Sequence, residues 1–192
     1  MMMKKAFIAT LAVSGFMYGS LAYADSNTVA VGYAQSKVQN FKNIRGVNLH
    51  YRYETDSPVS IVGSFTYMKG DRDGYYAESN FVEKFNIDIK YYSFMAGPAY
   101  RINDYVSVYG LLGFSHSKVD ATFNFVKKGG KQDHHDSGEL NRKSTNLAYS
   151  AGVEVNPIQN LSLYAGYEGS SIKDHDVRHN INGFNIGVGY RF

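Results

Sequence analysis

The chain has 192 residues with no Cys, no Trp and three Pro, but 17 Tyr, 12 Phe and 19 Gly, and its formal net charge is +3. This length suits one domain, the lack of Cys excludes a disulfide scaffold, and the small charge argues against a nucleic-acid partner bound through charge alone. A composition rich in Tyr and Gly and poor in Pro favours a many-stranded sheet.

Residues 1–24 are predicted to be a secretory signal peptide. Lys4 and Lys5 make a basic start, residues 6–18 are mostly apolar, and residues 22–24 (AYA) form a small-x-small cleavage site. An N-terminal membrane anchor is the alternative, but the apolar run is short for a helix that spans a bilayer. Cleavage after Ala24 leaves residues 25–192 as one domain with a formal charge of about +1.

Apolar and polar residues alternate at period two along the rest of the chain, which indicates strands with one apolar face. The last ten residues, GFNIGVGYRF, are typical because every second side chain is large and apolar. Polar and apolar residues do not alternate cleanly in residues 91–100, so the sequence does not predict which of their side chains lie on which face of the sheet. The pattern predicts about eight strands, near residues 28–39, 44–54, 59–70, 82–101, 105–123, 144–156, 161–170 and 180–192.

The connections between these strands are of two kinds. Short connections are predicted at residues 54–58, 101–105 and 156–160, and longer polar ones at residues 70–80, 124–143 and 170–180. The first connection, at residues 40–43, is also short. Because short and long connections alternate, they should lie at opposite ends of an up-and-down meander.

The alternation does not say which face meets solvent, since a soluble barrel buries its apolar face and an outer-membrane barrel turns it to lipid. The face opposite the large apolar side chains carries more ionisable groups than a dry core tolerates, namely His50, Arg52, Glu54, Glu154, Glu168 and Arg191. The apolar face ends in Tyr and Phe, which sit at membrane interfaces, and closure of a barrel removes strand edges that lipid would not tolerate. A membrane barrel is therefore favoured. Its interior should hold a structural charge network of His50, Arg52, Glu154, Glu168 and Arg191, with a proton or ion path through them as the alternative.

Several stretches resemble the Ail/OmpX/PagC/Lom family of outer-membrane proteins. They are GYAQS (32–36), YRYE (51–54), GSFTY (63–67), GPAYRINDYVSVYGLLG (97–113), AGVEVNP (151–157) and GVGYRF (187–192). The resemblance implies an all-β fold, an eight-stranded antiparallel up-and-down transmembrane β-barrel in the cell outer membrane, with long extracellular loops and short periplasmic turns. The final stretch also resembles the C-terminal signal that such proteins present to the barrel insertion machinery, which points to Tyr190 and Phe192.

Within this family the sequence is most similar to the Ail type. This resemblance implies a surface protein for attachment to host cells, invasion and resistance to serum killing. The alternative is an OmpX-like structural barrel that contributes to envelope integrity and lipopolysaccharide contacts without a specific host ligand. Outer-membrane lipid, lipopolysaccharide and the insertion machinery are the expected partners. Host matrix proteins, heparin-like glycans or complement regulators are the expected ligands.

The longer polar connections supply the candidate ligand-binding residues. Residues 124–143 hold five basic and three acidic side chains, which suits sulfated glycans or acidic protein patches, although a solvated loop that shields the barrel rim is the alternative. In residues 71–81, aromatic side chains beside charges are typical of protein contacts or of anchors just above lipid. The candidates are Arg72, Tyr75, Tyr76, Phe81, Lys127, Lys128, Lys131, His134, His135, Arg142 and Lys143.

The sequence predicts no cofactor, no metal site and no enzyme activity. The DHHD stretch (133–136) with His175, Asp176 and His179 makes a zinc site imaginable, but adjacent His residues at a loop tip lack a fixed ligand geometry. An exposed polar loop is the expectation there. Ser115 and His116 are neighbours on a predicted strand, so they should point to opposite faces and not act together as nucleophile and base.

Overall fold

The computed structural model describes residues 26–39, 42–78, 81–127, 134–174 and 177–192, and the predicted signal peptide lies outside them. The strands are β1 (Ser26–Val38), β2 (Asn43–Glu54), β3 (Val59–Glu78), β4 (Phe81–Arg101), β5 (Val106–Lys127), β6 (His134–Ile158), β7 (Leu161–Asp174) and β8 (Val177–Arg191). Each strand pairs antiparallel with its neighbours in sequence, and β1 also pairs with β8, so the sheet closes into a barrel. The predicted eight-stranded up-and-down barrel is confirmed. Within the described ranges no helix is long and apolar enough to cross a membrane.

The large apolar side chains lie on the outside of the barrel. Val29 and Val31 of β1 are exposed, and so are Ile186 and Val188 of the adjoining strand β8. Between them on β1, Ala30 is buried in the lumen. An apolar exterior around a more polar interior is the arrangement of a barrel in lipid.

The segment whose facing the sequence left open alternates like the others. Tyr92, Phe94 and Tyr100 are exposed, whereas Tyr91 and Met95 are fully buried in the lumen. These two buried side chains put apolar residues on the face that elsewhere is mostly polar. Inward and outward side chains therefore alternate regularly in the structure, although polar and apolar residues do not alternate in this part of the sequence.

The predicted long loops at residues 70–80, 124–143 and 170–180 are wrong where the structure describes them. Strands β3 and β4 pair as far as Glu78 and Phe81, β5 and β6 as far as Lys127 and His134, and β7 and β8 as far as Asp174 and Val177. The apolar alternation fades in these segments while the ladder of hydrogen bonds continues. The reason is that a strand outside a bilayer needs no lipid-facing side chains, so its residues can be polar on either face.

We call the barrel end with the connections at residues 55–58, 102–105 and 159–160 the turn end, and the opposite end the hairpin end. The β2–β3 pairing ends at Arg45 and Lys69, and the described β6–β7 pairing ends at Tyr149 and Gly169. Beyond this level β3 to β6 continue as a four-stranded extension, which we call the hairpin sheet (residues 70–78, 81–89, 119–127 and 134–142). At about 3.3 Å per residue its nine-residue strands extend by about 30 Å.

Candidate functional site

Arg52 is the centre of an ion cluster in the lumen near the turn end. It is fully buried, and its Nε donates a hydrogen bond of 2.8 Å to Ser60 Oγ. Its Nη1 lies 3.3 Å from Glu154 Oε1, and its Nη2 lies 3.0 Å from Glu54 Oε1. One guanidinium therefore joins carboxylates of β2 and β6, which face each other across the barrel.

Glu54 extends this cluster to the rim of the turn end. Its Oε1 accepts a hydrogen bond of 2.7 Å from Arg101 Nη2, and its Oε2 accepts one of 2.7 Å from Arg191 Nε. The carboxylate is buried, whereas both arginines are partly exposed. Sequence reasoning assigned Arg191 to the charge network but missed Arg101. Its only signal in the sequence is a position at the end of a strand before a short turn.

His50 lies between two tyrosine rings above this cluster. Its ring centroid is 4.7 Å from that of Tyr164 and 5.1 Å from that of Tyr109. Its Nε2 is 3.6 Å from Glu154 Oε2, which is too long for a hydrogen bond. Ring packing is therefore the main contact of the imidazole.

Glu168 lies in a separate polar cluster towards the hairpin end. Its buried carboxylate accepts hydrogen bonds from the hydroxyls of Thr66 at 2.8 Å, Tyr91 at 2.8 Å and Ser93 at 2.6 Å. No Arg, Lys or His among the described residues pairs with it. The residues predicted to form one charge network thus lie in two clusters, with His50, Arg52, Glu154 and Arg191 in the first and Glu168 in the second.

Apolar side chains fill the lumen beyond Glu168. Ile44, Met68, Ile89 and Ile181, from four different strands, are buried together in one cluster that also includes Tyr91. An eight-stranded barrel leaves an interior that side chains can fill. This apolar cluster covers the two polar clusters on the side of the hairpin end.

A row of cations crosses the outer face at the base of the hairpin sheet. The strand register aligns five outward side chains on adjacent strands, which we call the basic row: Arg45, Lys69, Lys90, Lys118 and Lys143. Towards the turn end the next outward row holds Tyr67, Tyr92 and His116, and the one after it holds Phe65, Phe94, Phe114 and Leu147. Aromatic side chains mark the boundary between lipid and water, so the basic row lies at the level of lipid headgroups.

Two members of the basic row have acidic neighbours. Lys69 Nζ lies 3.9 Å from Asp88 Oδ1, and Lys118 Nζ lies 2.9 Å from Asp120 Oδ2. In the part of the chain that the structure describes, Arg45, Lys90 and Lys143 form no such ion pair. The row therefore keeps cations available for anionic groups outside the protein.

Charge is divided between the two faces of the hairpin sheet. In residues 70–75, 84–89, 119–124 and 137–142, the outer face carries five carboxylates and one lysine, which are Asp71, Asp73, Asp88, Asp120, Glu139 and Lys84. The inner face, which continues the lumen wall, carries only two charged side chains in these residues. They are Arg72 on β3 and Arg142 on β6, beside apolar side chains such as Ile87 and Leu140. The two faces thus have net formal charges of −4 and +2.

Most of the predicted ligand residues lie on strands and not in loops. Four of them lie on paired strands, which corrects the prediction that they are in loops: Arg72, Tyr75, Arg142 and Lys143. Tyr75 is highly exposed on the outer face. Five others lie on strands, but their side chains are outside the described part of the structure: Tyr76, Phe81, Lys127, His134 and His135. Lys128 and Lys131 lie outside the described residues altogether.

The described residues do not support the alternative zinc site or the alternative enzyme site. Asp133, His175 and Asp176 lie outside these ranges, and within them no three His, Asp or Glu side chains come together as metal ligands. Ser115 is buried and lies 2.6 Å from Ser170 Oγ, whereas His116 is exposed and bonds Thr145 Oγ1 at 2.9 Å. They point to opposite faces as predicted, so they cannot form a nucleophile and base pair.

A closed eight-stranded barrel with an apolar exterior and buried ion pairs has known counterparts. The model of the family described as enterobacterial Ail/Lom protein matches residues 2–192. The chain belongs to the Ail/Lom family.

Among relatives of this Ail/Lom chain, the virulence membrane protein PagC of Salmonella typhimurium is 45% identical over 198 residues, which cover 99% of this chain and all of the relative. Outer membrane protein X of Enterobacter cloacae is 40% identical over 195 residues, which cover 97% and 95% of the two chains. The crystal structure of Ail, the attachment invasion locus protein of Yersinia pestis, in complex with the heparin analogue sucrose octasulfate, matches with a TM-score of 0.65 and 37% identity, over 88% of this chain and 99% of that one.

Membership in the Ail/Lom family makes the chain an outer-membrane β-barrel of a virulence and attachment family, which confirms the predicted family and location. Outer-membrane barrels have short periplasmic turns and longer extracellular connections. In the described residues the strands extend past the barrel at the hairpin end, so we infer that the turn end faces the periplasm and that the hairpin sheet lies outside the cell. Tyr190 and Phe192 lie outward at the periplasmic end, with ring centroids 6.1 Å apart.

Proposed function

We propose that this Ail/Lom barrel attaches the cell to host surfaces through the inner face of its hairpin sheet, and that its ligands are sulfated glycans or acidic patches of host proteins. The division of charge on the hairpin sheet carries this proposal. The acidic outer face repels an anionic ligand, whereas Arg72 and Arg142 attract it to the inner face. A guanidinium also matches the oxygens of a sulfate or carboxylate with paired hydrogen bonds.

The crystal structure of Ail from Yersinia pestis with a heparin analogue supports a glycan ligand for this chain as well. The remaining predicted ligand residues are close in sequence to these strands. Lys127, Lys128 and Lys131 would add positive charge between β5 and β6, and Tyr76 would add an aromatic contact to a protein ligand. Binding of matrix proteins or complement regulators there would provide attachment and serum resistance.

The test compares cells that display the native protein with cells that display Arg72→Gln/Arg142→Gln at equal surface level. The readout is retention on heparin, fibronectin and laminin surfaces, followed by survival in serum. Each lost charged hydrogen bond should lower retention about tenfold, and retention of the native form should fall as salt is raised.

Lys84→Gln is the matched control because it removes one cation from the outer face of the same sheet. It should leave retention unchanged. If the arginine variant is retained as well as the native protein, or if both are at background, the inner face is not the attachment site.

The basic row favours a second function, contact with lipopolysaccharide in the outer leaflet. The aligned cations at headgroup level are complementary to the phosphates of this lipid. Arg45, Lys90 and Lys143, which have no ion pair among the described residues, are each expected to contribute about 1 kcal/mol near an anionic surface. Lys69→Gln/Lys90→Gln/Lys118→Gln/Lys143→Gln should then raise the permeability of the outer membrane and leave retention on fibronectin unchanged. Unaltered permeability at equal barrel content would contradict this function.

A further inference from the structure

The barrel wall opens on its outer face between β6 and β7. In the described residues, the outermost pair of these strands is Tyr149 and Gly169, whereas β7 and β8 stay paired beyond that level, as at Ser171 and Asn180. The divergence leaves a cleft of about 610 Å³ between β6 and the β7–β8 hairpin. This volume lies within the range of small-molecule sites in proteins.

Side chains close the floor of this cleft towards the lumen. Ser170 Oγ donates a hydrogen bond of 2.8 Å to the backbone carbonyl of Leu147, a residue with no partner in the described β6–β7 ladder. The same hydroxyl lies 2.6 Å from Ser115 Oγ. Lipid does not tolerate unpaired backbone groups, and here a side chain satisfies the carbonyl without closing the gap between the strands.

The depth of the cleft places it at the outer boundary of the bilayer. Phe114 and Leu147 belong to the outward row that also holds Phe65 and Phe94. Two residues closer to the hairpin end, the outward residue of β6 is Thr145. Two residues further, the outward residues are Lys118 and Lys143. The surface thus changes from apolar to polar to cationic over four residues, or about 13 Å along the strand. A lipid has the same sequence of acyl chain, linkage and charged headgroup.

The two walls of the cleft differ in chemistry. The β5–β6 wall is apolar, and Phe114, Leu147 and Tyr149 are strongly exposed. The opposite wall presents the amides of Asn180 and Asn182 on β8. An acyl chain fits the first wall, while amides on the second can bond the amide or ester that joins the chain to its headgroup.

We propose that this cleft is a binding seat for the acylated, phosphorylated anchor of lipopolysaccharide. One acyl chain lies against Phe114 and Leu147, its linkage bonds Asn180 and Asn182, and a phosphate meets Lys143. This inference rests on the proposed contact with lipopolysaccharide and adds a discrete site to it. The outer leaflet and the cations above the cleft favour this lipid over an uncharged one.

A photoreactive benzoylphenylalanine placed at Leu147 tests the seat in intact cells. Leu49 is the control position, because it lies in the same outward row but on β2, away from the cleft, and is 50% exposed against 73% for Leu147. Light should link lipopolysaccharide to position 147 about fivefold more than to position 49, the ratio that one net hydrogen bond supplies. Asn180→Leu/Asn182→Leu in the Leu147 probe should lower that yield to the level of the control, at equal content of folded barrel.

The outcomes separate this site from the basic row. Equal yields at both positions would overturn the seat and leave the wider lipopolysaccharide contact standing. Linkage of position 147 to phospholipid in place of lipopolysaccharide, or a yield that the asparagine variant does not change, would also overturn it. No linkage of lipopolysaccharide to either position would overturn the seat and the proposed contact together.

Discussion

Replacement of Arg52 by Met tests the claim that buried ion pairs hold the barrel interior together. Methionine keeps most of the side-chain length and removes the guanidinium from a site with no exposed surface. Glu54 keeps Arg101 and Arg191, but among the described residues the one ion partner left to Glu154 is His50, at 3.6 Å. The variant therefore leaves one buried carboxylate with little compensation.

The size of the effect follows from the geometry. At 3.3 Å, the gross attraction between Arg52 and Glu154 is about 5 kcal/mol at an effective dielectric constant of 20. Measured losses on breaking a buried pair are about 3–5 kcal/mol, and we expect about 3 kcal/mol because Glu54 keeps two arginines. Arg52→Met/Glu154→Gln should cost less than Arg52→Met alone, since the second change removes the uncompensated charge.

The measurement is the free energy of unfolding in detergent micelles, from urea titrations followed by circular dichroism. Lys69→Gln is the control, because it breaks the exposed pair with Asp88 and should cost less than about 1 kcal/mol. The reasoning is refuted if Arg52→Met unfolds within about 1 kcal/mol of the native protein, or if the double variant is less stable than both single ones.

Three further predictions concern other parts of the barrel. Glu168→Leu should lower the unfolding free energy by about 3 kcal/mol because three hydroxyls lose their acceptor, whereas Glu168→Gln should cost about 1 kcal/mol; equal losses would contradict this assignment. Gly187→Leu should cost about 2 kcal/mol in the same assay, since a Cβ there would overlap the ring of Tyr164, and an unchanged urea midpoint would show that the ring moves freely. Phe192→Ser should lower the amount of assembled barrel in cells but not refolding in micelles. Phe184→Ser changes an equally exposed Phe within β8, the strand that precedes Phe192, and should leave assembly unchanged; the same loss from both would remove the signal role of Phe192.

The sequence by itself determined the number of strands, their order and the face on which most side chains lie. This is possible because the period of two is a local property, and it assigns Val31 or Ile186 to the outside without knowledge of any partner. The sequence did not predict the facing of Tyr91 and Met95, because these apolar side chains fill the lumen. It also did not predict how far the hairpin strands extend, because strands outside the bilayer need no apolar side chains towards lipid.

Only the tertiary structure decided which residues meet. Arg52 and Glu154 are 102 positions apart and meet across the lumen, while Glu168, predicted in the same network, bonds three hydroxyls instead. The alignment of Lys69 with Lys118 and Lys143, and the gap beyond Tyr149, likewise depend on register and on where pairing ends. Register and closure come from the cooperation of all eight strands, so no single segment of sequence contains them.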